Sequence, residues 1–183
     1  MDFAALAEGL RRITVELTCA HHTVGCGVIW APGWVVTNAH VVRRPRMLVR
    51  GADGRRAEAV VAGLQADVDL AVLRAPGFGP PAVGDTDGVT PPVGSLVVAV
   101  GHPFGVSGAL TTGIVHAVGP IRPGGRPWIQ ADLRLAPGNS GGPLGDARGS
   151  VLGLNAMVAD GLALAIPVAD VRRFLREVGV PPT

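Results

Sequence analysis

Short runs of Val, Leu, Ile and Ala, each stopped by Gly, Pro, Asn or Asp, recur along the chain, and this pattern predicts β-strands. The runs fall at 13–19, 24–30, 34–37, 46–50, 58–63 and 70–74, then at 95–101, 109–118, 128–132, 143–144, 151–155 and 162–166. Each set of six is enough to close one barrel. Between them, 75–94 carries ten Gly or Pro residues, too many for a regular element. The expected organisation is an N-terminal unit at 1–80, a linker at 81–94 and a C-terminal unit at 95–183. Helical spacing appears only at the ends. Phe3, Leu6 and Leu10 predict a short first helix, and Val168, Val171, Phe174, Leu175 and Val178 predict a closing helix packed on the second unit. The fold class is therefore all-β with short terminal helices.

Composition narrows the picture. A length of 183 residues suits one domain or two small fused barrels. With 48% hydrophobic and 16% charged residues, the chain can bury a core, and 27 Gly plus 16 Pro argue against long helices. All basic residues are Arg, and the net charge of +2 gives no reason to expect a nucleic-acid partner. Arg43, Arg44, Arg46, Arg50, Arg55 and Arg56 cluster without interleaved aromatics and read as a solvated face. Apolar stretches are broken by His, Gly and Pro, so no membrane helix is expected. The first residues show neither a basic start nor an apolar leader core, which leads to an expectation of a cytoplasmic location, with a secreted or periplasmic one the alternative if a leader has been removed.

Candidate chemistry begins at Pro137-Gly138-Asn139-Ser140-Gly141-Gly142-Pro143. Glycines beside a serine permit a sharp turn and a close substrate approach. Gly138-Asn139-Ser140-Gly141-Gly142 also satisfies G-x-S-x-G, but that elbow needs a histidine after the serine, and the last histidine is His116. An acid-first order would draw on Asp2, Glu8 or Glu16 at the chain start. The order His, Asp, Ser remains, as in chymotrypsin-type double barrels.

Among His21, His22, His40, His102 and His116, His40 follows the run Val35-Val36-Thr37, where a strand gives way to a turn at a barrel rim. Asp69 directly precedes Leu70-Ala71-Val72-Leu73, which suits a partly buried carboxylate; Asp67 shares its parity and is the second choice. Cys19, His21, His22 and Cys26 do not have a standard zinc spacing. The two cysteines sit on neighbouring expected strands, within conceivable disulfide reach, but reduced thiols are expected.

Taken in order, Gly25-Cys26-Gly27-Val28-Ile29, Thr37-Asn38-Ala39-His40-Val41-Val42, Asp69-Leu70-Ala71-Val72-Leu73, Val100-Gly101-His102-Pro103-Phe104-Gly105, Thr112-Gly113-Ile114-Val115, Ile129-Gln130-Ala131-Asp132, 137–144 and Ala165-Ile166-Pro167 resemble the HtrA (Deg) family of trypsin-like serine proteases. The resemblance implies two six-stranded antiparallel β-barrels with the active site between them. It implies His40 as general base, Asp69 as its orienting acid and Ser140 as nucleophile. The amides of Gly138 and Ser140 would form the oxyanion hole, and Leu135, Met157 and Val158 would wall a pocket for small or medium apolar side chains. No metal or cofactor is expected, and the partners would be unfolded or flexible polypeptides.

Departures from the family pattern are also legible. No PDZ domain is expected after the closing helix, and 118–127 is a short connection where the family often carries a longer loop. Arg134 stands where a small residue is expected; of two readings, into the specificity pocket to favour acidic side chains or outward on the barrel, the outward one is preferred because a buried unpaired guanidinium is costly. Asn139 is neutral where digestive relatives carry an Asp that pairs with a new N-terminus, so activity without N-terminal cleavage is expected. Family members often form trimers; here the N-terminal segment is short and Phe3 is its only aromatic, so the oligomeric state stays open between trimer and monomer. The alternative function is a peptide-binding or chaperone-like protein with the same cleft and little turnover.

Overall fold

The computed structural model describes residues 2–20, 22–79 and 88–182. Helix α1 spans Phe3–Ile13, and the Asp2 carboxylate caps it by accepting the amides of Ala4 and Ala5 at 2.9 and 3.2 Å. It runs a turn beyond the expected 3–10, because Ile13 is buried alongside Leu10 and the Thr14 hydroxyl donates to the Leu10 carbonyl at 2.7 Å.

Strands β1 (Thr14–Cys19), β2 (His22–Ala31), β3 (Trp34–Thr37), β4 (Arg46–Arg50), β5 (Arg56–Gln65) and β6 (Leu70–Arg74) close a first barrel in the order β1-β2-β3-β6-β5-β4. Strands β7 (Leu96–Gly101), β8 (Ala109–Pro120), β9 (Pro127–Asp132), β10 (Pro143–Asp146), β11 (Val151–Ala159) and β12 (Leu162–Pro167) close a second, in the order β10-β11-β12-β9-β8-β7. Every pairing is antiparallel. Helix α2 (Val168–Val178) follows. The all-β class and the two six-stranded barrels match the expectation from sequence. Strand β5 exceeds the expected 58–63 because its ladder with β6 continues to Gln65 past a bulge between Val61 and Gly63.

Barrel strands usually alternate apolar and polar, yet several here are apolar throughout, and the packing explains why. On β2, Ile29 enters the core of the first barrel, whereas Val28 and Trp30 join a cluster shared by both barrels and both helices. Val35 and Val36 of β3, and Leu73 and Val72 of β6, divide in the same way. In the second barrel, Val97 and Ala99 face inward while Val98 and Val100 face the shared cluster. With both faces covered, the alternation disappears. The barrels are thus joined by an apolar seam, and the loops at its rim carry the candidate site. The linker expected at 81–94 falls partly on 80–87, which lies outside the described residues.

Candidate active site

Strand β3 ends at Thr37, and the chain passes through Asn38 into a 3-10 turn at Ala39–Val41 that presents His40 with 43% of its side chain exposed. Asp69, at the entry to β6, accepts the His40 backbone amide at 3.0 Å and approaches His40 Nδ1 at 2.9 Å. An ionised carboxylate only accepts, so Nδ1 carries the proton and Nε2 is left as the basic atom.

Asp69 has a φ of +54°, left-handed and unfavourable for a residue with a Cβ by about 1–3 kcal/mol. Its surroundings hold it there. Its amide donates to the Ala66 carbonyl at 3.2 Å, and its carbonyl accepts from Asn38 Nδ2 at 3.2 Å. The preceding carbonyl, of Val68, accepts from Arg126 Nη1 at 2.5 Å. Asp67, the second choice of acid, is exposed on the same turn.

Ser140 comes from the turn before β10, and its carbonyl accepts from the Cys26 amide of the first barrel at 2.7 Å. The two rims meet at Gly25, where a Cβ would lie 2.7 Å from the Val41 side chain and 2.9 Å from the Ser140 carbonyl oxygen. The structure therefore brings the turns of His40 and Ser140 against one residue. The Ser140 hydroxyl donates to the Ala156 carbonyl at 2.9 Å, and among the described residues no hydrogen bond joins it to His40. In this rotamer the oxygen is parked on β11.

The glycines beside Ser140 have a cause that the motif alone did not reveal. Gly141 has a φ of +83°, and a Cβ there would come within 2.0 Å of the Cys26 carbonyl oxygen. The first barrel's backbone, rather than an incoming substrate, excludes a side chain at that position. Gly138 has a φ of +105° and would clash with the His102 carbonyl oxygen at 2.4 Å.

The Gly138 loop is tied back by its carbonyls. Pro137 O accepts from the Phe104 amide at 3.3 Å, and Gly138 O accepts from the His102 amide at 3.2 Å and from Cys26 Sγ at 2.9 Å. In a trans peptide the N–H opposes the C=O of the same unit. The Gly138 amide therefore points away from Phe104, and among the described residues neither it nor the Ser140 amide has an acceptor.

Beside Ser140 lies a cavity of about 260 Å³, with Leu135, Ala136, Ala156, Met157 and Val158 in its lining. Met157 and Val158 form an exposed edge, whereas Ala156 is buried; sequence reasoning had missed this residue, which lines the cavity and whose carbonyl accepts the serine hydroxyl. Arg134 is exposed, in keeping with the outward reading.

His102 is buried; its Nδ1 accepts from the Gly108 amide at 3.1 Å, and its Nε2 has no partner among the described residues. Burial lowers its pKa, the Glu16 carboxylate opposes that, and Arg50 reinforces it. Glu16 is buried as well, which alone would raise its pKa, but hydrogen bonds from Thr23 and Arg50, the Arg50 charge and His102 bring it below the ordinary carboxylate range. Burial pushes the Cys26 thiol up to about 12, so it stays protonated and donates. His22 and His116 are exposed on β2 and β8, and His21 lies outside the described residues. Both cysteines are free, Cys19 standing opposite His22 and Cys26 opposite Glu16.

Residues 25–154 match the model of the trypsin-like peptidase domain family. A probable periplasmic DegP-like serine endoprotease of Halomonas elongata is 36% identical over 170 residues, covering 86% of this chain and 36% of that protein. Its counterpart in Ectopseudomonas mendocina is 39% identical over 158 residues, covering 80% and 33%. The chain thus spans about a third of the length of these curated relatives. Among solved structures, the serine endoprotease from Yersinia pestis superposes with a TM-score of 0.87 at 28% identity, covering 97% of this chain and 66% of that one. The HtrA-type protease AlgW with decapeptide gives 0.85 at 27% identity, covering 97% and 67%.

These relatives correct one expectation. They are named periplasmic, so the finding points to the periplasm, where sequence reading had expected the cytoplasm. The address of an exported protein is written in a leader, and a folded barrel carries no trace of it. With the fold, the rim geometry and the matched residues in agreement, the chain belongs to the trypsin-like peptidase family and is HtrA-like within it.

Proposed function

We propose that the chain is a serine endopeptidase that cleaves unfolded or flexible polypeptides, with His40 as general base, Asp69 as its orienting acid and Ser140 as nucleophile. The observation that carries this reading is the Asp69 carboxylate at 2.9 Å from His40 Nδ1, on a rim that shares Gly25 with the Ser140 turn. In this mechanism Ser140 Oγ leaves the Ala156 carbonyl, gives its proton to His40 Nε2 and attacks the scissile carbonyl carbon. The same proton then passes to the leaving amine as the C–N bond breaks, leaving an acyl-enzyme. A water, deprotonated by His40, releases the acid and restores the hydroxyl.

The amides of Gly138 and Ser140 stabilise the oxyanion; each such donor contributes about 3–4 kcal/mol in enzymes of this kind. The tied carbonyls of Pro137 and Gly138 support a donor already turned to the cleft. The cavity beside Leu135, Met157 and Val158 takes a small or medium apolar side chain on the acyl side of the cut. The corresponding organisation is a base-and-acid barrel within 1–80, a connection at 81–94 and a nucleophile barrel within 95–183.

Casein digestion and fluorophosphonate labelling test the reading. Wild-type protein is expected to do both and Ser140→Ala neither. Undiminished hydrolysis by Ser140→Ala would falsify the assigned nucleophile, and peptide binding without turnover in the wild type would favour the chaperone-like alternative.

A further inference from the structure

Resting on the reading of Asp69 as orienting acid, we propose that Arg126 is a positioning residue that fixes the Asp69 backbone from the opposite barrel. Arg126 ends the short connection between β8 and β9, yet its Nη1 donates at 2.5 Å to the Val68 carbonyl in the turn between β5 and β6. That carbonyl belongs to the peptide whose N–H is that of Asp69. Its direction therefore sets the plane from which the Asp69 side chain leaves. A residue in the left-handed region needs such support, since the relaxed alternative would rotate the peptide and swing the carboxylate off His40.

The arm is rigid before it makes this bond. The guanidinium lies over the Trp128 ring, 4.5 Å from its centroid, and Trp128 is only 7% exposed. Stacking on an immobile indole leaves the fork little freedom to lose. Nη2 is buried with no hydrogen-bond partner among the described residues, so the site does not optimise the arginine's own hydrogen bonding. Burial lowers the Arg126 pKa, while the charges of Asp170, Asp69 and Asp67 oppose that. The neighbouring Asp170 is itself held by Arg173 at 3.0 Å, and the Arg126 bond goes to a backbone carbonyl rather than a carboxylate. Its placement thus serves the shape of the acid's turn.

The test compares wild type, Arg126→Ala, Arg126→Lys, Arg122→Ala and Asp69→Asn in hydrolysis of a chromogenic peptide, with the folded fraction measured for each. Arg126→Ala is expected to lose roughly tenfold in kcat with KM changed by less than about twofold, as for a misplaced catalytic group. Arg126→Lys should recover part of the loss, because an ammonium can donate to the Val68 carbonyl, and the exposed Arg122→Ala should match wild type. The low-field proton resonance of His40 Nδ1–H should shift in Arg126→Ala. An unchanged kcat, or a loss that vanishes after scaling to the folded fraction, overturns the proposal while Asp69→Asn remains inactive. Full activity in Asp69→Asn overturns the reading of Asp69 itself.

Discussion

His40 and His102 both follow the end of a strand, and their surroundings are opposite. His40 is partly exposed, has a carboxylate on Nδ1 and leaves Nε2 available. His102 is buried, accepts a backbone amide on Nδ1 and has no partner for Nε2 among the described residues. On the proposed reading of His40, the difference teaches that a base is made by the partner that orients the ring and the water that reaches it, not by the strand end that presents it. His102 instead shapes the Gly138 loop through its backbone amide.

Substitution of the two histidines gives the sharpest contrast. His40→Ala is expected to lower kcat/KM by about 10⁶-fold, as loss of a base does in serine proteases. His102→Asn should stay within about threefold, because asparagine can accept the Gly108 amide and the backbone bonds remain; steady-state kinetics on one peptide substrate compares them. Asp69→Asn should lose about 10⁴-fold through the wrong imidazole tautomer, again read as kcat. If His102→Asn fell as far as His40→Ala, the contrast would collapse.

The next effect concerns stability. Asn139 is buried, so Asn139→Asp, which puts a carboxylate where a neutral amide stands, is expected to cost about 3–5 kcal/mol in denaturant titration. Acid should then separate the network behind the loop from the rim. The folded pKa of His102 is lowered from 6.5, so the unfolded chain binds more protons as pH falls below about that value, and stability drops on acidification. Glu16, lowered from 4.5, contributes above that value and loses its contribution at lower pH, as the pH falls through its folded pKa. Denaturation midpoints at pH 7.5 and 5.5 should therefore differ more for wild type than for His102→Asn. The smallest effect is expected from the exposed Arg134→Ala, within about twofold in KM for an apolar substrate.

Much of the architecture was legible because both faces of many strands are covered, so β2, β3, β6 and β7 stand out as apolar runs between turn residues. The proposed order of His40, Asp69 and Ser140 came from residue positions instead: no histidine follows Ser140, and the acids before His40 stand only at 2, 8 and 16. What escaped was set by distance along the chain. Arg126 and Val68 are 58 residues apart, and nothing in either segment announces that they meet. Ala156 holds the serine hydroxyl through its backbone carbonyl, which any residue would supply. Gly141 was visible, but its cause lay in a carbonyl of the other barrel.

That same crossing has a consequence for biogenesis. The peptide bearing Ser140 hangs by its carbonyl from the Cys26 amide, so the proposed nucleophile's turn is tied to the other half of the polypeptide. A chain still emerging or half-assembled would be unarmed, and hydrolysis would begin only once the two halves had docked. On the proposed function, the chain would need no separate safeguard against digesting its own folding intermediates.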